Sequence, residues 1–99
     1  MSKSDDHEID KVIHEPARLK IVTQLYVVES ADMTYLMRQT GLTWGNISSH
    51  VSKLEDAGYV EVKKDFVEKK PRTTLTLTPE GRRAFENYRE AIKEVLNLD

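Results

Sequence analysis

The sequence predicts a mainly α-helical domain carrying one small β-hairpin, an α+β class, on three observations. Two amphipathic stretches are separated by a glycine turn at Gly41-Leu42. After Gly58 the apolar period changes from the helical value of about 3.6 residues to the strand value of 2. At Thr78-Pro79-Glu80-Gly81 a helix starts again, with a capping threonine, a proline at the first helical position and an acid in the first turn.

The polar residues 1–8 are expected to form a loose arm, leaving one domain over residues 9–99. Ile9, Val12 and Ile13 predict a short turn of helix around residues 9–14. Pro16 suits the first turn of the main first helix, which runs to about Val28 with Leu19, Ile21, Val22 and Leu25 as its apolar positions. Residues 30–33 are long enough for one extended bridge. Thr34 is the expected cap of a short helix, Tyr35 to Thr40, closed by Gly41 with Leu42 packing back on Met37.

The next helix runs from Thr43 to Ala57. Thr43 caps its start, and Ile47, Val51 and Leu54 at i, i+4 and i+7 form its apolar stripe. Gly58 supplies the left-handed stop, with Tyr59 folding back on Leu54. Two helices about a tight glycine turn make a helix-turn-helix layout, whose second helix is the one that enters a major groove. Tyr59–Val67 then alternates, Val60, Val62 and Phe66 against Glu61, Lys63 and Asp65. Residues 72–78 alternate again and are rich in β-branched side chains. The link Glu68-Lys69-Lys70-Pro71 reads as a basic hairpin tip, its proline unsuited to a paired strand. Phe85, Tyr88, Ile92 and Val95/Leu96 mark the stripe of the last helix.

At 99 residues there is room for one small core. No apolar run approaches a membrane span, the N-terminus lacks a signal-peptide core, and there is no cysteine for disulfides, thiol catalysis or thiolate metal sites. A cytoplasmic protein is expected. Net charge is −2, but its distribution is uneven. Residues 41–83 carry eight basic and six acidic side chains, whereas both flanks are acidic. Within residues 63–72, Lys63, Lys64, Lys69, Lys70 and Arg72 stand against Asp65 and Glu68. A local basic strip on an acidic body is compatible with DNA binding.

Helix, short helix, glycine turn, helix, hairpin with basic tip, helix: this order resembles the winged helix-turn-helix of small MarR/ArsR-type transcriptional regulators. The resemblance rests on Pro16-Ala-Arg-Leu-Lys-Ile21, on Gly41-Leu-Thr with Asn46-Ile-Ser, His50-Val51 and Leu54, and on Ala57-Gly-Tyr-Val60. Pro71-Arg-Thr-Thr74 and Leu77-Thr-Pro-Glu-Gly81 complete it, so that it spans about residues 10–98. It implies a homodimer on a roughly palindromic operator in double-stranded DNA, the recognition helix 43–57 in the major groove and the wing 63–72 on the backbone or minor groove. Neither the cysteine metal site of the ArsR kind nor an added ligand-binding domain is found.

The candidate contacts are Thr43, Gly45, Asn46, Ser48, Ser49, His50, Ser52 and Lys53 on the helix, and Lys64, Lys69, Lys70 and Arg72 on the wing. The bland alternative is a solvated helix face. Against it, the face opposite Ile47 has no acid before Glu55, and asparagine and lysine are the side chains that pair with adenine and with guanine or phosphate. The wing lysines have a bland reading as guards of a sheet edge. Trp44 reads equally as a half-buried structural residue or as a contact. His50 has no serine or carboxylate partner arranged for catalysis, and orients the helix or meets phosphate. His7 and His14 read as a surface pair rather than a metal site. Ile9, Val12, Ile13, Phe85, Tyr88, Ile92, Val95 and Leu96 are the candidate dimer interface, being more apolar surface than one small core needs.

No cofactor, metal or membrane partner is expected. No nucleophile–base pair, carboxylate pair or phosphate loop stands at usable spacing for an enzyme. The rivals are a winged helix turned to protein interaction, and a ligand- or metal-responsive regulator sensing in the dimer crevice.

Overall fold

A computed structural model describes residues 8–98 of the chain. The arm expected over residues 1–8 lies outside them except for Glu8, and so does His7. The elements in order are α1 (Pro16–Val28), β1 (Ser30–Asp32), α2 (Met33–Thr40), α3 (Trp44–Asp56), β2 (Val60–Val67), β3 (Lys70–Leu77) and α4 (Pro79–Leu96).

Local chemistry sets most of the boundaries. Before α1, the Asp10 carboxylate accepts the Val12 and Ile13 N–H groups at 2.8 and 3.1 Å, and the His14 N–H reaches the Asp10 carbonyl at 2.8 Å. That single turn accounts for the helical pattern at residues 9–14. Glu15 caps α1 through the Arg18 N–H, with Pro16 in the first turn. α3 closes in a Schellman ending: Gly58 N–H to Glu55 carbonyl and Tyr59 N–H to Leu54 carbonyl, both 2.9 Å, with Gly58 at φ +83°. Thr78 caps α4 by accepting the Gly81 N–H at 2.9 Å. Its hydroxyl also donates to the Gly58 carbonyl at 2.7 Å, and its N–H to the Tyr59 carbonyl at 3.0 Å, fastening the end of α3 to the start of α4.

Four details differ from the sequence reading. α2 begins at Met33 and is capped by Asp32, whose carboxylate accepts the Tyr35 N–H at 2.9 Å, not by Thr34. Aspartate is as good a cap as threonine, and here the strand before it delivers it to the helix start. α2 ends in one bond, Gly41 N–H to Met37 carbonyl at 2.9 Å, while the Leu42 N–H turns to the Thr40 hydroxyl at 3.2 Å, so the ending is the simpler left-handed cap.

The extended bridge is a third strand. Ser30, Ala31 and Asp32 pair antiparallel with Thr76, Leu75 and Thr74, giving the order β1-β3-β2. Finally, Pro71 lies inside β3, opposite Phe66. Beyond Thr74, β3 has a neighbour on one side only, so a residue without an N–H is tolerated there.

One core joins these elements. Ile21, Val22 and Leu25 of α1, Met33 and Leu36 of α2, Ile47, Val51 and Leu54 of α3, Val60, Leu75 and Leu77 of the sheet, and Phe85 and Tyr88 of α4 are buried together with Ile13. Ile13, Phe85 and Tyr88, taken from sequence as surplus apolar surface for a partner, are thus covered by their own chain. Ile9, Val12 and Ile92 pack half-buried against the same cluster. The rings of Phe85 and Tyr26 lie 4.8 Å apart, and the Tyr26 hydroxyl donates to Glu86 at 2.9 Å, holding α4 on α1. Tyr59 donates to the Asp10 carboxylate; burial and that bond push its phenol up to about 12. Burial raises the Tyr88 phenol as well.

Candidate nucleic-acid interface

α3 is anchored on three sides. Its apolar stripe, Ile47, Val51 and Leu54, is buried, and its two ends are capped as described. On its flank His50 faces α1 and is half-buried there, with Nδ1 3.2 Å from Arg18 Nη1 and 3.7 Å from Glu15 Oε1. A guanidinium has no acceptor, so Nδ1 accepts from Arg18. Arg18 in turn donates from Nε to the Val12 carbonyl, and Glu15 caps α1. Accepting the Arg18 backbone N–H holds the Glu15 carboxyl below its ordinary 4.5. This small network fixes the rotation of α3 about its own axis.

What remains of α3 is exposed: Thr43, Trp44, Gly45, Asn46, Ser48, Ser49, Ser52 and Lys53. Three of the sequence-derived candidates are spoken for in part. The Thr43 hydroxyl accepts the Asn46 N–H at 3.1 Å, the Ser52 hydroxyl donates to the Ser48 carbonyl at 3.5 Å, and His50 is turned to α1. Gly45 stands in open space, with no heavy atom within 4 Å of a Cβ built on it. The Trp44 and Gly45 N–H groups point out of the helix start, where a phosphate is favoured. Trp44 is 53% exposed, so its indole is part of this surface rather than of the core.

The ribbon of β2 and β3 projects beside α3. Its turn has two central residues, Glu68 and Lys69, at φ +51° and +67°. Positive φ at both matches the hairpin turn whose twist suits the flanking strands, here made without glycine. Register puts Lys64, Phe66, Pro71 and Thr73 on one face and Lys63, Asp65, Val67, Lys70 and Arg72 on the other. Lys64, Lys69, Lys70 and Arg72 are all exposed. Asp65 lies 3.9 Å from Lys63, and its other oxygen is buried with no hydrogen-bond partner among the described residues. A shallow groove of about 240 Å³ runs between helix and ribbon, lined by Trp44, Ser48, Ser52 and Glu55 on one side and Lys64 and Thr73 on the other.

Phe66 is where the sequence pattern misleads. Alternation places it with Val60 and Val62, and it does share their face, yet it is 74% exposed. Val60 is buried and Val62 half-buried because helices lie against that part of the sheet; the ribbon outruns them before Phe66. The clue available in the sequence was its company, since every residue from Lys63 to Arg72 except Phe66, Val67 and Pro71 is charged.

His14 Nδ1 lies 2.8 Å from the Tyr88 hydroxyl, and the pairing of His14 with His7 lies outside the described residues because His7 does. Among the described residues no group of three or more histidine, cysteine, aspartate or glutamate side chains is placed to hold a metal ion. No helix among them is long and apolar enough to cross a membrane.

A buried-stripe helix after a glycine turn, its free face without acid before the last turn, beside a basic two-stranded ribbon, defines a class of nucleic-acid-binding domain. The family described as the winged helix DNA-binding domain matches residues 17–96, and the chain belongs to it. An uncharacterized protein of Methanocaldococcus jannaschii, MJ0432, is 39% identical over 88 residues, which is 89% of this chain and 92% of that protein. The transcriptional repressor PagR of Bacillus anthracis is 35% identical over 54 residues, 54% of each chain. A transcriptional regulator homologue from Pyrococcus horikoshii OT3 superposes with a TM-score of 0.85 at 26% identity, covering 98% of this chain and 96% of that one. The same fold serves MarR-family regulators at much lower identity. Family, relatives and site together make the chain a DNA-binding transcriptional regulator.

Proposed function

We propose that the chain works as a homodimer on a roughly palindromic operator, α3 in the major groove reading bases and the β2–β3 ribbon holding the backbone or minor groove. It acts by binding alone, in the cytoplasm, with no chemistry of its own. The observation that carries this reading is the exposed face of α3, which is small, polar and free of acid until its last turn. Asn46, Ser49 and Lys53 are its base-reading or phosphate-reading side chains. Gly45 and the helix start allow the backbone itself to approach a phosphate. His50 positions the helix through Arg18 and Glu15. Lys64, Lys69, Lys70 and Arg72 supply the positive charge that α3 mostly lacks.

The exposed apolar end of α4 supports pairing between copies. Val95 and Leu96 are 63% and 58% exposed and continue the stripe that Phe85 and Tyr88 begin inside the core. Pairing there would set two α3 helices against half-sites about 10 base pairs apart. The test is to replace Asn46 or Ser49 with alanine. Either change should cost specific binding about 1–3 kcal/mol while leaving binding to random duplex nearly unchanged. Equal losses on both duplexes would remove base reading from α3.

A further inference from the structure

The Phe66–Pro71 rung is the one part of the ribbon that phosphate contacts leave unexplained. Phe66 is 74% exposed, and its cross-strand partner is Pro71, so the two make an apolar pair on one face, a single rung short of the closing Val67–Lys70 pair. Lys64 shares their face, Lys70 and Arg72 stand on the other face of the same two strands with Asp65, and Lys69 lies in the turn with Glu68. A solvated ribbon has no use for an aromatic side chain at its leading end, and nothing among the described residues covers it. The two-residue turn at Glu68–Lys69 and the fixed ring of Pro71 hold the rung in place before any partner arrives.

We propose that this rung is an apolar wedge which enters the minor groove beside the half-site and opens a base step there, so that the protein bends its DNA. The inference rests on the reading of the ribbon as a DNA-binding wing. Charge complementarity selects the occupant, because an apolar pair on a ribbon whose residues 63–72 carry five cations against two acids suits a polyanion with apolar base faces. Groove dimensions select the mode: the minor groove, roughly 6 Å wide, excludes a two-stranded ribbon but admits side chains from its tip. Apolar side chains inserted there unstack a step and kink the duplex. Cost then depends on the step being opened, so Phe66 confers sequence preference without a hydrogen bond, favouring flexible TA or CA/TG steps at symmetric positions outside the half-sites.

The experiment uses a duplex selected from a random pool by the wild-type protein, carrying 2-aminopurine at the flanking steps and a donor–acceptor pair at its ends. Phe66→Ala should weaken binding roughly ten- to hundredfold, the change that burying one phenylalanine ring corresponds to. It should also abolish the rise in 2-aminopurine emission and the end-to-end shortening, with the salt dependence and thermal melt unchanged. Phe66→Leu should retain part of each signal. Should Phe66→Ala bind and bend like the wild type while Lys69→Ala/Lys70→Ala still flattens the salt dependence, the wedge is refuted and the wing reading stands. Should neither variant affect DNA, the wing reading fails with it. A change in sedimentation without a change in DNA binding would overturn the wedge and assign the rung to a contact between copies.

Discussion

Gly45 and Gly81 both sit in the first turn of a helix, and only one of them is needed by the fold. A Cβ on Gly81 would lie 2.2 Å from the Tyr59 carbonyl oxygen and 2.8 Å from Leu77 Cδ1. That carbonyl is also the acceptor of the Thr78 N–H, so it is not free to retreat. Gly81→Ala should therefore destabilise by about 2–3 kcal/mol or more in urea titration. Gly45 meets nothing, and Gly45→Ala should raise stability by about 0.5–1 kcal/mol, the ordinary helix propensity gain. On the proposed docking of α3 the space it fills is where the DNA comes, so it should also weaken duplex binding. Unchanged affinity would show that the helix start stays clear of the duplex. Glu15 carries a pH signature. Its folded value lies below the ordinary 4.5, chiefly because it accepts the Arg18 N–H. A lowered value contributes stability that is complete above the unfolded value and is lost as pH falls through the folded one. The advantage of the wild type over Glu15→Gln should thus be full at neutral pH and vanish on acidification, which denaturation at stepped pH would measure; an advantage constant with pH would contradict it.

Among the elements, α3 is the most legible in sequence because everything that defines it is local. Thr43, the Ile47–Val51–Leu54 stripe and Gly58 each act within a turn or two, and the helix Trp44–Asp56 lies inside the bounds they set. β1 was readable only as a bridge, since three residues acquire strand character from Thr74–Thr76, far along the chain. Thr34 was the cap expected from local sequence, and Asp32 takes that place because the path of β1 into α2 is set by that distant pairing. The ribbon shows the opposite limit. Its alternation was legible, but alternation assigns faces and not depth, and Phe66 shares a face with buried Val60 while standing in solvent. The proposed interface was legible as a composition, a helix face with no acid before its last turn and a basic strip. The turn of His50 toward α1 was not, because Arg18 and Glu15 come from another helix.

At the scale of the whole molecule the body is elongated, 56 Å in its longest dimension against 23 and 21 Å, with a basic ribbon and an apolar helix end both leaving the core. The core has already used Ile13, Phe85 and Tyr88, so charge placed at Tyr88 would unfold the chain rather than separate copies. Val95→Asp with Leu96→Asp is the cleaner change. Sedimentation should show a folded monomer that binds a half-site weakly; an intact dimer would move pairing elsewhere on the surface. The central claim is a division of labour, with α3 reading sequence and the ribbon supplying affinity. One measurement tests it directly: affinity for the chain's own upstream DNA and for random duplex, across salt concentrations, for the wild type, Asn46→Ala and a Lys69/Lys70/Arg72→Ala variant. The wild type should prefer its own site by about a thousandfold or more. Asn46→Ala should cut that preference by about five- to 150-fold at an unchanged salt slope, and the triple variant should keep the preference while its log–log slope falls by about 0.9 for each phosphate contact removed. If both variants lose preference and slope together, or neither loses either, helix and wing do not divide the work.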